Sequence, residues 1–432
     1  MSRNKMHKER VKTLFLVLLS ISAVFLGLRT GLFDEPLRAG GFGGNPPMRT
    51  VTDQAYPAAF PRTIMVSLGA GAYHGQRMDW QGGNEEAGLQ ILYATFAESL
   101  GEALESADSS ESVTLEAWER ALTDLGVFFQ YDVEIPGATL ARWFGTESHD
   151  TIGGIERIIL SASQDAVYLY YMGGDGIPNR SETRADAGIL RGWIQTLEPN
   201  GAQYGFQLPA FTGADPFAVL LAQYDGIPVI RGHNAVSAVF EQLGTVLEQF
   251  GMHLSRARYL DVGGVRTMVE DDATLRLTDQ GRIYYHCQAN APRLVAWEDA
   301  PSLTRGIEAG REIAQILEGL SGEATVQLSD WVYAEEQIVL YFSYYLGGIP
   351  IWTAYPAARI VIRGSYVREV TLFARTFMRT GQFSAVIPEL QASAAAGGEP
   401  LTLAYVYAED EDETWLPRWL VTPGDREVAA DG

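Results

Sequence analysis

Tyr341-Phe342-Ser343-Tyr344-Tyr345-Leu346-Gly347-Gly348-Ile349-Pro350-Ile351 reads as an aromatic β-strand that enters a two-glycine turn and leaves through proline. Aromatic side chains fit a pleated, packed surface. Gly347 and Gly348 permit the positive φ of a tight turn, and Pro350 fixes the chain as it departs. Aromatics fall on both faces of this strand, so the expectation is a strand buried on both sides rather than a ligand platform shared with Trp352. Two related strings, Tyr171-Met172-Gly173-Gly174-Asp175-Gly176-Ile177-Pro178 and Tyr224-Asp225-Gly226-Ile227-Pro228, also place Gly-Ile-Pro after an aromatic at an expected strand end.

Working outward, Leu303, Ile307, Ile313, Ile316, Leu317 and Leu320 mark a helical face before this strand. Strands are expected at 324–331, 337–345, 358–363 and 366–373, the last two joined by Arg363-Gly364-Ser365. A late strand over 401–407 precedes an acidic run, and Trp415 to Val421 returns to the sheet. The same order occurs earlier: Val236, Val239, Phe240, Leu243, Leu247 and Phe250 predict one helix stopped by Gly251. Strands over 256–261, 265–269, 274–277 and 282–287 follow, with Asp279-Gln280-Gly281 turning the last pair. The first third mixes a strand over 63–68, helices marked by Leu89, Leu92, Phe96, Leu100 and Leu104 and by Leu115, Trp118, Leu122 and Leu125, and strands over 127–133, 155–161 and 166–171.

The N-terminus has a different character. Thr13 to Phe33 is apolar apart from Arg29, and as a helix its 21 residues span about 31 Å, roughly one bilayer core. Arg3, Lys5, Lys8, Arg10 and Lys12 precede it against Glu9 alone, a positive-inside pattern that keeps the N-terminus cytoplasmic. A cleaved signal shares these features, but an A-x-A-like site after Ala23 is missing. The expected organisation is a cytoplasmic tail 1–12, a transmembrane anchor 13–33, a linker 34–61, an N-terminal α/β module 62–212, a middle helix-plus-meander module 213–300 and a C-terminal module 301–432. The fold class is α+β, a single transmembrane helix followed by modules of helix plus antiparallel sheet.

Charge sharpens the picture. The formal net charge is −22, all three lysines precede the anchor, and the part beyond residue 12 carries 27 Arg against 53 Asp plus Glu, a net of −26. Such a field repels nucleic acid and anionic headgroups. The one cysteine, Cys287, allows no internal disulfide, so it is expected as a small buried core residue.

Motifs of chemistry are scarce. Beyond the anchor, His74, His149, His233, His253 and His286 fall at no metal-ligand spacing, and neither H-E-x-x-H, G-x-S-x-G nor S-x-x-K occurs. His286 and Cys287 point to opposite faces of their strand and do not make a thiol-base pair. Gly69 to Gly75 lacks the Gly-Lys-Ser/Thr of a phosphate loop. Glu409 to Glu413 lacks calcium-loop spacing and reads as a solvated hairpin tip. A two-carboxylate site of glycosidase type is open at this level, because the fold sets its spacing. No catalytic residue, metal or cofactor is assigned.

The stretch Tyr341 to Ile351, the 358–373 hairpin, Leu401 to Tyr407 and Leu416-Pro417-Arg418-Trp419 together resemble the YycI-type module of the YycH and YycI proteins of Gram-positive bacteria. Thr274 to Arg282 resembles the strand, turn, strand of the middle YycH module. Tyr341, Tyr344, Tyr345, Gly347, Gly348, Pro350, Pro417 and Trp419 are the structural motif positions. The family consists of single-pass extracytoplasmic accessories of the WalK–WalR two-component system. The resemblance therefore implies a non-enzymatic regulator of a sensor histidine kinase, with a second accessory protein of the same family as a further partner. Ser20, Ser22, Ala23 and Gly27 are the small residues through which the anchor would pack on kinase helices. Competing readings are a PepSY-like binding or inhibitory module for an exported peptidase or spore protein, and a carboxylate-dependent cell-wall hydrolase.

Overall fold

The computed structural model describes residues 49–50, 57–79, 88–146, 152–163, 165–208, 215–221, 226–288, 294–296, 302–334, 337–396, 401–408 and 413–421. The anchor over 13–33, with Ser20, Ser22, Ala23 and Gly27, lies outside them. Among the described residues no helix is long and apolar enough to cross a membrane.

Among the described residues two large antiparallel-rich sheets dominate the fold, beside a two-stranded pair of Gln203–Tyr204 with Val219–Leu220. The first is built from β1 (Thr63–Gly69), β2 (Ala72–Gln76), β3 (Gly126–Pro136), β4 (Gly154–Ser163), β5 (Ala166–Met172) and β6 (Pro178–Glu182), with the short Glu111–Ser112 strand beyond β6. Its order is β2-β1-β3-β4-β5-β6. The glycine-rich stretch after β1 is a hairpin: Gly69, Ala70 and Gly71 all take positive φ and return the chain as β2. Both faces are covered. Helix α1 (Leu89–Ser106) lays Leu92, Phe96, Leu100 and Leu104 on one face, where α3 (Gly137–Trp143) and α4 (Ala187–Ile194) join it. Each such side chain stabilises by about 1.5–3 kcal/mol. On the other face Trp118 of α2 (Leu115–Thr123) and Tyr204, Phe217 and Val219 surround Met65 and Phe128. Thr114 caps α2 by accepting from Ala117 N, and Asp186 caps α4.

The second sheet has β7 (Ile227–Asn234), the meander β8 (Arg258–Val262), β9 (Val265–Glu270), β10 (Ala273–Thr278) and β11 (Arg282–Cys287), then β12 (Thr325–Ala334), β13 (Gln337–Leu346), β14 (Ile349–Trp352), β15 (Ala358–Arg363), β16 (Tyr366–Phe373), β17 (Arg375–Ser384), β18 (Leu401–Tyr407) and β19 (Thr414–Val421). Its main path runs β8-β9-β10-β11-β16-β15-β13-β14-β18-β19-β7-β17, with β12 beside β13. The meander therefore continues without a break into the hairpin β15–β16, through Tyr285 opposite Val370. Tyr285 stacks on Phe250.

The helix expected over 236–250 is two, α5 (Val236–Glu241) and α6 (Leu243–Gln249), hinged at Gln242; Gly251 at φ +65 ends the run as expected. Helix α7 (Leu303–Ala314) starts at Ser302, whose hydroxyl accepts from Arg305 N, and tightens to a 3-10 turn over Gln315–Leu317. It presses on β13 at Gly310, where an added Cβ would lie 2.2 Å from Leu340 Cδ1. Strand β13 is buried on alternate and adjacent positions alike, as its two-sided aromatic pattern predicts. Two of the Gly-Ile-Pro strings follow strand ends as expected, after Met172 of β5 and Leu346 of β13, and the Ile-Pro steps of all three open or immediately precede the strands β6, β7 and β14. Proline is tolerated at a strand start because the ladder loses little there. Cys287 is buried.

Candidate functional site

Four of the motif positions, Tyr345, Gly347, Gly348 and Trp419, meet where the segment after β2 touches the β13–β14 turn. Gly347 and Gly348 take φ of +56 and +85, which places Gly347 O 3.1 Å from Asp79 N, the donor of a hydrogen bond between the sheets. An added Cβ at Gly348 would sit 2.7 Å from Arg77 O, so only glycine admits this approach. Pro350 lies opposite Tyr345 in the β13–β14 pair. From β13 the Tyr345 hydroxyl reaches Asp132 Oδ2 of β3 at 3.4 Å, and Arg62 holds the other oxygen of that carboxylate at 3.1 Å.

Arg77 is the hub. Its guanidinium pairs with Glu389 at 2.9 Å, donates to Val219 O at 3.1 Å and to Thr63 Oγ1 at 3.4 Å, and its Cζ lies 5.9 Å from the centre of the Trp419 ring. Glu389 is buried, and the Arg77 side chain is only 11% exposed. Glu389 opens α8 (Glu389–Ala395), and Trp419 Nε1 donates to Ile387 O just before it, at 2.9 Å. Pro417, buried in β19, lies opposite Tyr405 of β18, two residues before Trp419.

Asp79, one residue beyond Met78, accepts from Gln90 N at 3.0 Å and Gln90 Nε2 at 3.1 Å, so its carboxylate sits at the N-terminus of α1, where negative charge is favoured. Burial nevertheless raises its pKa, and the Gln90 bonds only partly oppose this. A crevice between Asp79, Tyr93, Gln327, Tyr345 and Gly348 marks the line of contact. Along the same line Leu328 N bonds Ala58 O at 2.7 Å, Phe60 N bonds Gln327 Oε1 at 3.2 Å, and Trp331 Nε1 bonds Glu134 O at 2.7 Å. A second clasp joins α3 to α7: Arg142 and Arg305 hold the buried Glu308 at 2.6 and 3.4 Å, and the hydroxyls of Thr139 and Thr304 lie 2.9 Å apart.

Two motif tyrosines stand apart from this line. Tyr344 is buried, donates to Phe373 O at 2.7 Å and accepts from Arg375 N at 3.2 Å, and burial raises its pKa. Tyr341, next to Arg359 in register, offers its carbonyl to Ser329 Oγ. The structure thus brings Tyr345, Gly347, Gly348 and Trp419 to one seam, with Pro350 and Pro417 shaping the strands behind them. Arg77, Asp79, Asp132 and Glu389 complete it and carried no sequence signal, because none lies in a periodic or motif context. Chemically, the seam is an arginine-clipped joint: Arg77 pairs with Glu389 and Arg62 with Asp132, while Asp79 is held by the amides of Gln90. Elsewhere, Glu156 has its pKa raised by burial and by Glu134, with Arg157 opposing, and Gly174 N donates to Glu134 at 2.7 Å. Among the described residues no group of three His, Cys, Asp or Glu is placed to hold a metal ion.

This α+β chain, whose two large sheets are joined at a Gly-Gly turn and a Pro-x-Trp strand, has a YycH-like fold. The particular likeness is to the crystal structure of YycH from Bacillus subtilis, with a TM-score of 0.56 at 10% sequence identity, over 87% of this chain and 96% of that one. No family model matches the sequence, and no curated protein matches it.

Proposed function

We propose that this chain is a membrane-anchored, extracytoplasmic regulatory protein, without enzymatic activity, that binds a WalK-like sensor histidine kinase and biases its signalling state. The observation that carries the proposal is the YycH-like fold extending over 87% of the chain, and over nearly all of the solved protein, rather than over one module. The engagement of the seam's arginines and carboxylates in structural pairs supports a scaffold role over a catalytic one. In this reading the N-terminus is cytoplasmic, 13–33 spans the membrane and Ser20, Ser22, Ala23 and Gly27 contact the kinase helices. An accessory shifts a two-state sensor only by binding one state better than the other.

The test is crosslinking in native membranes followed by recovery of the full chain, with its own anchor or with an unrelated spanning helix. A histidine kinase recovered with the native anchor and lost with the replacement is the expected result. Failure to recover a kinase with either version, alongside capture of a secreted enzyme, overturns the proposal.

A further inference from the structure

A sheet edge presents unpaired main-chain donors and acceptors that accept another strand unless something prevents it. The edges of this fold are treated unequally. Strand β2 is closed by Asn200, whose side chain bonds both Gly75 N and Gly75 O, at 3.0 and 2.7 Å. Strand β12 is covered by the segment before β1, through Leu328 N to Ala58 O. Strand β17 pairs with β7 across a register shift, is interrupted by Gly381 at φ +79, and gives Arg379 N to the Glu323 side chain. Strand β8 has none of these devices. Its five residues pair with β9 in unbroken register through the Gly263-Gly264 turn, and among the described residues nothing bonds its outer side.

Its side chains are equally distinctive. All of β8 is exposed, including Leu260 at 60% and Val262 at 64%, which share a face with Val269 of β9, while Tyr259 is exposed on the other face. An edge that only had to be kept silent would carry charge on these positions. The strand's charges stand elsewhere: Arg256 precedes β8 and Arg258 is its first residue, and Asp261, the one acid in the strand, is taken up by Arg266 at 3.2 Å. These two arginines make a local basic spot, at the same end of the meander as the exposed Asp271-Asp272 turn, on a part of the chain with a net charge of −26. Two such acidic parts repel, which disfavours a second copy as the occupant.

We propose that β8 is a strand acceptor for a partner protein: an extended segment with apolar residues at alternate positions and acidic residues flanking them adds as the next strand of the sheet. Main-chain bonds provide the affinity, Leu260 and Val262 receive the alternate side chains, and Arg256 and Arg258 select the acidic flank. The inference concerns a surface and does not depend on the regulatory reading.

The test uses the full chain in detergent micelles and a synthetic peptide of about ten residues with alternating Val and Thr flanked by Glu. A Lys-flanked version and one N-methylated along the pairing edge serve as comparisons. The readout is amide hydrogen exchange. The Glu-flanked peptide is expected to protect the amides of 258–262, the Lys-flanked one to bind at least about tenfold more weakly, and the N-methylated one not to protect. Arg256→Glu with Arg258→Glu should invert the flank preference, and Leu260→Lys with Val262→Lys should weaken both peptides while the thermal melt is unchanged. Absence of protection at 258–262, equal protection by the N-methylated peptide, or protection that rises with protein concentration alone overturns the proposal; the last result would assign the edge to a second copy.

Discussion

The meander β8–β11 and the Gly347–Gly348 turn belong to one sheet, but the meander and the seam formed at that turn are built on opposite terms. Each meander strand pairs with its neighbour in sequence across a tight turn, so its geometry is set within a few residues. The seam joins groups far apart in the chain: Asp79 to Gly347, and Arg77 to Glu389 at a separation of 312 residues. Local pairing closes short loops at small entropic cost, whereas distant pairing requires most of the fold to be in place first. The difference implies that the meander tip tolerates change and the seam does not.

Arg77→Met is the sharpest way to break that comparison. It removes the guanidinium that pairs with the buried Glu389 carboxylate at 2.9 Å, and removal of one partner of such a pair costs about 3 kcal/mol. Urea unfolding of the full chain should show this loss, and Arg77→Met with Glu389→Leu should recover much of it. Recovery of nothing would mean that the arginine acts through Val219, Thr63 and Trp419 rather than through the ion pair. Next in size is Gly348→Ala. At φ +85, with the new Cβ 2.7 Å from a backbone oxygen, it should cost about 2–3 kcal/mol. Gly364→Ala, also at positive φ (+56) but with open space around it, is the control and should cost about 1 kcal/mol.

The same contrast explains what was legible in the sequence. The meander strands and the hairpin β15–β16 were readable because turn chemistry and alternation are local signals, and Arg282–Cys287, Ala358–Arg363 and Tyr366–Phe373 match their expected bounds. Strands β7 and β17 were not foreseen. Arg375–Ser384 mixes polar residues and glycine, and it becomes a strand because β7 lies beside it, more than 140 residues away in sequence by the Asn234 to Arg375 register. Within the site, Gly347, Gly348 and Pro350 announced a special turn, yet what that turn approaches, Arg77 and Asp79, is a product of tertiary structure. A lone arginine two residues before an aspartate has no pattern to find.

Smaller effects refine the contrast. Trp331→Phe retains the packing but removes the bond to Glu134 O, and should cost about 1 kcal/mol in the same unfolding measurement. Glu156→Gln tests the electrostatics of the first sheet. Burial raises the folded-state pKa of Glu156, so the protonated form is the one the fold favours and stability from this group is present at low pH and lost as pH rises through the raised value. Replacement by the neutral isostere should therefore stabilise the chain at pH 7, and the gain should shrink on acidification and vanish below about pH 4, where the unfolded carboxylate is also protonated. A gain that persists at low pH would point to packing instead.

The smallest expected effect is the one on which the comparison most depends. Leu260 stands exposed on the outermost strand, and nothing described bonds that strand's outer side. Leu260→Lys removes apolar surface already in water, so unfolding of the full chain should move by no more than about 0.5 kcal/mol in either direction. Main-chain pairing with β9, Leu260 opposite Thr267, asks nothing of the side chain. A loss approaching that of Gly348→Ala would mean that Leu260 is covered within the chain itself, and β8 would then be an interior strand. A silent substitution leaves the apolar character of this edge without a structural purpose inside the chain, so that its reason must be sought in what binds there.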